Sequence, residues 1–293
     1  MLNAGRLTVL TVSWNSGGRL LQWSREWGEL GCRLLVADNG STDGAPARCG
    51  ARVVQTGGNR GFGAGINAAA AAADTELVLV TNPDTLPGPR GSLDALLLGY
   101  EPGSLSGAQL VDARGDPVPS GGIWPTVRWV AGQVAGRAST LWRPGRVDWV
   151  QGALMLAERE LFLDTLGGFS DEFPLYFEDT DICARAASIG VPRRFTDAAR
   201  FLHAEGTGAP GSRAARLAGF HWGLWRWFVR HRPGRAGTVR ALLVLKCAGR
   251  AAAGGRDTRE GYRASLSAIL GGTMPALPVA AGREGAGESP CVE

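Results

Sequence analysis

The sequence contains almost no lysine. Lys246 is the only lysine among 31 basic residues, so arginine carries nearly all the positive charge of this 293-residue chain. Arginine makes bidentate contacts with phosphate groups, a geometry that lysine lacks. The bias has a second interpretation, because a GC-rich genome also favours arginine codons. The scarcity of lysine is therefore compatible with phosphate binding but does not require it.

Cysteine motifs and long apolar runs are also missing. None of the five cysteines forms a CxxC pair, which argues against a zinc site and a dense disulfide framework. The N-terminus lacks a long apolar stretch followed by a small-residue cleavage site, and no apolar run reaches the roughly 18 residues of a membrane-spanning helix. We therefore expect a reduced, cytoplasmic protein that does not span a membrane.

The rest of the composition is typical of a globular protein. Hydrophobic residues make up 44% and charged residues 20%, and the formal net charge is +4. The length allows one large domain, or one domain and a tail. Residues 271–293 are rich in Gly, Ala and Pro and are predicted to be disordered. Nucleic acid is not an expected partner, because the charge is not strongly one-sided and the strand-end motifs are acidic.

Strand and helix signals alternate along the first third of the chain. Strands are predicted at residues 7–14, 32–40, 51–59 and 76–84, and an alanine-rich helix at residues 63–74. This alternation predicts an α/β fold with a largely parallel sheet. Residues 102–146 are rich in Gly, Pro and Trp and are predicted to form loops and short strands.

Regular signals return in the second half. One strand is predicted to end near Leu156 and a last strand near His203. Helices are predicted at residues 213–232 and at about 236–252. The first of these helices interleaves aromatic residues with arginines, which leaves two interpretations open. Tryptophans at helical spacing pack in a core or a dimer interface, whereas an interfacial helix would bring the protein to a lipid-linked molecule.

Polar side chains follow the predicted strands. In open α/β sheets, ligands bind outside the carboxyl ends of the strands. The candidates there are Trp14, Asn15, Asp38, Asn59, Asp84 and His203. Each has a structural alternative: DNGSTDG alone is more often a turn, and GGNRGFGAG departs from the dinucleotide-binding fingerprint because Ile66 replaces its third glycine. Asp84 and His203 at two strand ends would suit a divalent metal.

A cluster of carboxylates follows an aromatic run in FPLYFEDTDICARAASIG. Glu178, Asp179 and Asp181 occupy three of four consecutive positions. Like charges this close resist joint ionisation, so a chemical role is one interpretation. The other is a solvated helix N-terminus, where negative charge is stabilised.

The order of these motifs resembles a known family. TVSWNSG, VADNGSTDG, NRGFGAGIN, TNPDT, WVQGALML, GGFSDEFPLYFEDTDICARAASIG and FLHAEGTG occur in this order between residues 7 and 232. The set resembles the inverting family 2 glycosyltransferases, specifically their rhamnosyltransferase-like branch. The resemblance implies the GT-A fold, a Rossmann-like and mostly parallel sheet flanked by helices. It also implies a catalytic domain at residues 1–212, with a nucleotide-sugar half to about residue 100 and an acceptor half after it, and a C-terminal helical segment at residues 213–270.

The resemblance also implies which residues bind the donor. Trp14 and Asp38 match positions that hold the nucleobase. Asp84 matches the aspartate of the D-x-D motif that binds Mg²⁺ or Mn²⁺, and His203 matches a histidine that completes the metal site. Asn82 replaces the first aspartate of that motif, which leaves its role open. The nucleotide-sugar site would consist of Trp14, Asn15, Asp38, Asn59, Gly61, Asn82 and Asp84.

The acceptor side is implied in the same way. Asp179 matches the catalytic base that deprotonates the acceptor hydroxyl, and Glu178 would contact acceptor hydroxyls. The acceptor site would also contain Trp149, Gly152, Tyr176 and Phe177.

The implied activity is metal-dependent transfer of a sugar from a nucleotide sugar. The expected donor is dTDP-L-rhamnose, with a UDP-hexose or UDP-galactofuranose as alternatives. The acceptor would be a glycan, a lipid-linked glycan or a natural product, as in bacterial cell-wall or polysaccharide synthesis. A non-catalytic nucleotide-sugar-binding protein is the alternative from another class. A homodimer and peripheral contact of residues 213–232 with the inner face of the plasma membrane are further expectations.

Overall fold

The first half of the sheet is parallel. A computed structural model describes residues 4–137, 140–141, 147–203, 213–253 and 255–277. The strands β1 (Leu7–Ser13), β2 (Arg33–Asp38), β3 (Arg52–Gln55) and β4 (Leu77–Thr81) lie in the order β3-β2-β1-β4. Every residue of β1 is buried, as expected for a parallel strand covered on both faces. The predicted alternation of strands and helices is confirmed here.

Three helices connect these strands. They are α1 (Gly18–Glu29), α2 (Ala45–Arg48) and α3 (Phe62–Ala72). Trp23 and Trp27 of α1 are fully buried and donate indole hydrogen bonds of 2.9 Å to the Thr81 hydroxyl and the Thr85 carbonyl. These bonds fix α1 against the ends of the strands where the candidate residues lie.

The second half of the sheet is mixed. The order continues from β4 through β10 (Leu154–Glu158), β6 (Leu105–Val111), β11 (Arg193–His203) and β5 (Thr85–Leu86). β10 is antiparallel to both β4 and β6, whereas β6 and β11 are parallel. The short β7 (Pro117–Val118) pairs with β6. β11 ends at His203, as predicted.

The central strand β6 was not predicted as a major element. All of its residues are buried, but its sequence LSGAQLV lacks the β-branched run that marks a buried strand. Two helices of this half were also not predicted, α4 (Ser92–Leu98) and α5 (Val127–Val134). The Thr126 side chain caps α5 by accepting a 3.1 Å hydrogen bond from the Trp129 N–H.

The single strand predicted to end near Leu156 is interrupted. Its first part, β9 (Trp149–Val150), pairs with β8 (Gly121–Gly122) in a separate two-stranded sheet. The chain then turns through Gln151–Ala153 before β10 begins. A single turn of π-helix (Leu161–Thr165) follows β10. The interruption moves the backbone of Gly152 out of the sheet.

Further helices lie in the second half of the chain. α6 (Glu178–Ser188) carries the carboxylate cluster, and α7 (Arg213–His231), α8 (Pro233–Ala253) and α9 (Arg256–Gly271) form the C-terminal helical extension. Trp227 and Phe228 of α7 are 1% and 2% exposed and pack with side chains of α5, α8 and α9. The packing interpretation of the aromatic helix therefore holds for these residues.

No helix in the described ranges is long and apolar enough to cross a membrane. Membrane contact through residues 213–232 and dimerisation stay predictions, and so does the division into domains. Most of the predicted disordered tail, residues 278–293, lies outside the described residues.

Candidate active site

A cleft of about 520 Å³ opens at the carboxyl ends of the parallel strands. Most of the predicted site residues line it: Trp14, Asn59, Gly61, Asn82, Asp84, Trp149, Gly152, Tyr176, Phe177, Glu178 and Asp179. The predicted donor and acceptor residues thus share one cavity. Asn15, Asp38 and His203 are not among the lining residues.

Asn15 and Asp38 shape the loops that follow β1 and β2. Asp38 is 5% exposed, and its carboxylate accepts a 2.9 Å hydrogen bond from the Ser41 N–H. The Asn15 side chain accepts a 2.7 Å bond from the Thr42 N–H, and its backbone has φ 52°. Asp43 accepts hydrogen bonds from the N–H groups of Gly17 and Ala45. The DNGSTDG segment is therefore a braced turn, and contact with a nucleobase stays a prediction for Asp38.

The glycines after Asn59 allow close packing. Gly61 has φ +90°, and a Cβ there would lie 2.4 Å from the Pro174 carbonyl oxygen. A Cβ on Gly65 would lie 2.7 Å from Val12. These glycines let α3 and its preceding loop contact β1 and the segment before α6. This packing gives the glycines a structural role, and contact of Gly61 with a nucleotide sugar stays a prediction.

Asp84, which lines the cleft, lies close to His203. Both are 7% exposed, and the Asp84 Oδ1 to His203 Nε2 distance is 3.5 Å. The pairing of β5 with β11 aligns Thr85 with His203, which brings the two residues together across the sheet. Asn82 lies beside them, with its Nδ2 3.4 Å from His203 Nε2. The structure therefore places these residues together, and their binding of a metal stays a prediction.

The pair fits a divalent metal that is held partly by substrate. Carboxylate oxygen and imidazole nitrogen are both common metal ligands, and Asp84 Oδ1 and His203 Nε2 face each other in this pair. Among the residues that the structure describes, no group of three or more Asp, Glu, His or Cys side chains is arranged so that it could hold a metal ion. Two protein ligands are sufficient where diphosphate oxygens and water supply the others.

The segment before α6 has an unusual backbone. Tyr176 and Phe177 both adopt left-handed conformations, with φ of 68° and 72°. Such conformations are costly for bulky residues and persist only where the surroundings enforce them. Phe220 of α7 packs against both rings, with centroid distances of 6.3 Å and 5.5 Å. The strain therefore lies immediately before the two carboxylates that face the cleft.

Asp179 is held by hydrogen bonds to both carboxylate oxygens. Oδ2 accepts a 3.0 Å bond from the Gly152 N–H, and Oδ1 accepts bonds of 2.6 Å and 3.1 Å from the Thr180 N–H and hydroxyl. Burial raises the pKa of Asp179 despite these bonds. The break between β9 and β10 is what makes the Gly152 N–H available.

Glu178 has a different environment. It is 7% exposed, and its Oε2 is buried without a hydrogen-bond partner among the described residues. Burial, and then the charge of Asp179, raise the pKa of Glu178 well above its ordinary value. The hydrogen bonds from Gly152 and Thr180 stabilise the charged form of Asp179, so a singly ionised pair carries its charge on Asp179 and its proton on Glu178. Asp179 can then accept a proton while Glu178 donates a hydrogen bond.

Asp181 does not line the cleft. It is fully buried, and its carboxylate accepts 2.8 Å hydrogen bonds from Arg185 Nε and His231 Nε2, with Arg230 Nε at 3.5 Å. Burial by itself would raise the pKa of Asp181, but the bond from His231 and the arginine charges outweigh it and lower the pKa. Asp181 lies in the first turn of α6 and joins α6 to α7.

Comparison with known proteins decides the family. No protein-family model matches the chain. Over 289 residues the chain is 30% identical to N-acetylglucosaminyl-diphospho-decaprenol L-rhamnosyltransferase from two strains of Mycobacterium tuberculosis, an alignment that covers 82% of this chain and 91% of that protein. The chain belongs to this rhamnosyltransferase-like family of glycosyltransferases.

Solved structures support the fold of the glycosyltransferase. A mannosyltransferase from Pyrobaculum calidifontis in complex with GDP-Man and Mn²⁺ matches with a TM-score of 0.52 at 19% identity, covering 90% of this chain and 84% of that one. S. aureus TarS 1-349 in complex with UDP matches with a TM-score of 0.51 at 13% identity, covering 91% and 92%. The expected GT-A fold is confirmed.

The glycosyltransferase cleft also contains residues that the sequence did not indicate. They include Arg19, Trp129, Gln151, Thr180, Arg216 and Phe220. Gln151 Oε1 is buried without a hydrogen-bond partner in the described ranges, although the residue lines the cleft. The position of Gln151 within the WVQGALML motif was the sequence signal that could have indicated it. Nothing in the local pattern around Arg216 and Phe220 distinguishes them from other residues of an arginine- and aromatic-rich helix.

Replacing Gly223 of α7 with alanine should disturb Tyr176 and Phe177, whose backbones have left-handed conformations. A Cβ on Gly223 would lie 2.7 Å from the Tyr176 carbonyl oxygen and 2.9 Å from Phe177 Cδ2. We expect Gly223→Ala to destabilise the glycosyltransferase by about 1–3 kcal/mol, the usual cost of overpacking. Gly237→Ala in α8 is the matched control, since open space surrounds Gly237 and the change should stabilise the helix by about 0.5–1 kcal/mol. Urea denaturation measures both, and equal effects would contradict the prediction.

Proposed function

We propose that this glycosyltransferase moves L-rhamnose from dTDP-L-rhamnose, with inversion, to a sugar hydroxyl of a lipid-linked diphosphate glycan. The observation that carries the proposal is that one cleft contains both the partly buried Asp179 carboxylate and Asp84 of the Asp84–His203 pair. The mycobacterial relative supports the donor sugar and the acceptor, because its name specifies L-rhamnose and N-acetylglucosaminyl-diphospho-decaprenol.

Asp179 is the proposed base. In an inverting transfer, the acceptor hydroxyl attacks the anomeric carbon and loses its proton as the bond to the diphosphate breaks on the opposite face. The bonds from Gly152 and Thr180 orient the carboxylate for that proton. Glu178, held in its neutral form, donates a hydrogen bond that positions the acceptor. No covalent intermediate is needed, because one displacement inverts the anomeric centre.

The proposed donor site is the wall of the cleft that contains Trp14 and Asp84. Trp14 lines the cleft, and its indole Nε1 is buried without a hydrogen-bond partner in the described part of the chain, so the side chain is suited to stack on and bond to a nucleobase. Asp84 and His203 would hold Mg²⁺ or Mn²⁺. When bound, the metal neutralises the charge that develops on the departing diphosphate.

The acceptor wall is aromatic. Trp129, Trp149, Tyr176, Phe177 and Phe220 all line the cleft. Aromatic faces stack on sugar rings and also accept a polyprenyl chain, which suits an amphipathic acceptor. A lipid-linked acceptor would bring the enzyme to the inner face of the plasma membrane as a peripheral protein.

Removing Asp84 should abolish the metal dependence of donor binding. We expect Asp84→Ala and His203→Ala to lose most of the gain in dTDP affinity that Mn²⁺ gives, while affinity in EDTA stays within about twofold of wild type. Isothermal titration calorimetry with and without Mn²⁺ measures this. Asp94→Ala, on the exposed face of α4, is the control. An unchanged Mn²⁺ effect in Asp84→Ala would exclude Asp84 as a ligand.

The donor and the reaction can be tested together. Purified protein is incubated with dTDP-L-rhamnose, a UDP-hexose or UDP-galactofuranose, and an N-acetylglucosaminyl diphosphate acceptor with a short prenyl chain. We expect transfer from dTDP-L-rhamnose alone, and NMR of the product to show the inverted anomer. Faster transfer from a UDP sugar would replace the proposed donor. No nucleotide release from any donor would favour a non-catalytic binding protein.

A further inference from the structure

Two cationic side chains line the cleft within the described residues, and the proposed mechanism uses neither. Arg19 lies in α1 beside the donor wall, and Arg216 lies in the first turns of α7 on the acceptor wall. The acidic lining residues, Asp84, Glu178 and Asp179, belong to other segments. Arg216 is therefore the cation that α7 contributes to a mainly aromatic wall.

The packing of α7 explains how Arg216 reaches the cleft. Arg216, Gly219, Phe220 and Gly223 follow one another at helical spacing and share one face of α7. Cβ atoms on the two glycines would lie 3.2 Å from the Leu175 carbonyl oxygen and 2.7 Å from that of Tyr176, so α7 approaches this segment closely. Phe220 packs on Tyr176, and Arg216 lies one turn earlier on the same face. The positive charge of Arg216 also partly offsets the burial that raises the pKa of Tyr176.

The charge of the surrounding segment favours an anion. Between Arg213 and Arg256 the chain has ten Arg and Lys residues and no Asp or Glu, although the net charge of the whole chain is only +4. The remainder of the chain is therefore net acidic. A segment of one sign beside a cleft attracts a ligand of the opposite sign to that wall.

We propose that Arg216 binds the diphosphate of the lipid-linked acceptor. The guanidinium group makes paired, charge-assisted hydrogen bonds to phosphate oxygens, which a sugar hydroxyl does not match in strength. Arg216 lies beside Tyr176, which precedes the proposed base Asp179 by a few residues, and this position assigns Arg216 to the acceptor. Asp84 and His203, in contrast, lie at the proposed donor end. The inference rests on the proposed function for the identity of the acceptor.

Binding tests the inference without catalysis. The full-length protein is titrated with N-acetylglucosaminyl diphosphate farnesol and with the matched farnesyl N-acetylglucosaminide, which lacks the diphosphate. We expect Arg216→Ala to weaken binding of the diphosphate compound by about 10- to 100-fold, the usual loss for a hydrogen-bonded charge, and that of the neutral compound by less than twofold. Arg216→Lys should fall between wild type and Arg216→Ala.

Arg235→Ala separates a specific contact from the general charge of the segment. Arg235 is exposed on α8 and does not line the cleft, so its removal should leave both affinities within about twofold. Equal losses in Arg235→Ala and Arg216→Ala would overturn the inference. So would equal affinity of the wild type for the two compounds. Melting temperatures of the variants identify any loss that comes from unfolding.

The affinity for dTDP distinguishes the two diphosphates. We expect Arg216→Ala to bind dTDP and Mn²⁺ like the wild type, and a selective loss of dTDP affinity would overturn the inference by assigning Arg216 to the donor. Arg216-dependent binding of the acceptor without rhamnosyl transfer would uphold the inference and contradict the proposed function instead.

Discussion

Replacing Asp179 with asparagine should lower the rate of glycosyl transfer by about 10²- to 10⁴-fold, the usual contribution of a general base. Asparagine keeps the shape of the side chain, and its oxygen can still accept one of the hydrogen bonds from Gly152 or Thr180. It cannot take the acceptor proton. The loss should appear in kcat, while the affinity for dTDP with Mn²⁺ stays within about twofold.

Two further variants assign the effect to one carboxylate. Glu178→Gln mimics the neutral form in which burial and the charge of Asp179 hold Glu178, so we expect it to keep activity within about tenfold of wild type. Asp171→Asn changes an exposed acid of the preceding loop and should have no effect. Full activity in Asp179→Asn, or a larger loss in Glu178→Gln, would assign the base to another residue.

The activity of the wild type should fall in acid. The base must be ionised, and burial raises the pKa of Asp179 above its ordinary value. The rate should therefore decrease as the pH falls through that raised pKa, at a higher pH than an exposed aspartate would give. A profile of kcat/KM against pH measures this. Because Glu178 is held in its neutral form, Glu178→Gln should leave the low-pH part of this profile unchanged.

Removing Asp181 should have the largest effect on stability. Asp181→Ala leaves the partly buried Arg185, Arg230 and His231 without their shared carboxylate, and breaking a buried ion pair costs about 3–5 kcal/mol. Arg185 also donates hydrogen bonds to the carbonyl oxygens of Leu166 and Gly168, so its displacement would loosen the chain before α6. The free energy of unfolding in urea measures the loss.

The control is an exposed ion pair. Asp74 is 70% exposed and pairs with Arg33 at 2.8 Å, so Asp74→Ala should change the free energy of unfolding little. A similar loss in the two variants would contradict the prediction. If Asp181→Ala does not fold, Asp181→Asn, which keeps hydrogen-bonding capacity, provides a milder measurement of the same effect.

The Asp181 contribution should depend on pH in a defined direction. The folded pKa of Asp181 is lowered, so its stabilisation is fully present above the unfolded value of about 3.9. It is lost as the pH falls through the lower folded pKa, because protonation removes the charge that Arg185 and His231 contact. The part of the stability difference between wild type and Asp181→Ala that comes from this charge should shrink below about pH 4.

Periodicity predicted the regular elements well. β1, β2, β3 and β4 are apolar runs bounded by polar turns, and the alanine-rich α3 and the long α7 have clear helical spacing. The same reasoning failed for β6, because LSGAQLV has polar and small residues that are buried only by the neighbouring strands. It also joined β9 to β10, since nothing in the local pattern indicates that the two belong to different sheets.

The sequence by itself determined the residue types at the strand ends, the carboxylates at the start of α6 and the resemblance to a glycosyltransferase family. The tertiary structure decided which partners these residues have. Asp84 and His203, Asp179 and the Gly152 N–H, and Asp181 and His231 are pairs whose members are far apart in the chain. Local periodicity encodes strands and helices, whereas burial and hydrogen bonding depend on which distant segments pack together. The fold therefore gives the neighbouring Glu178, Asp179 and Asp181 three different environments.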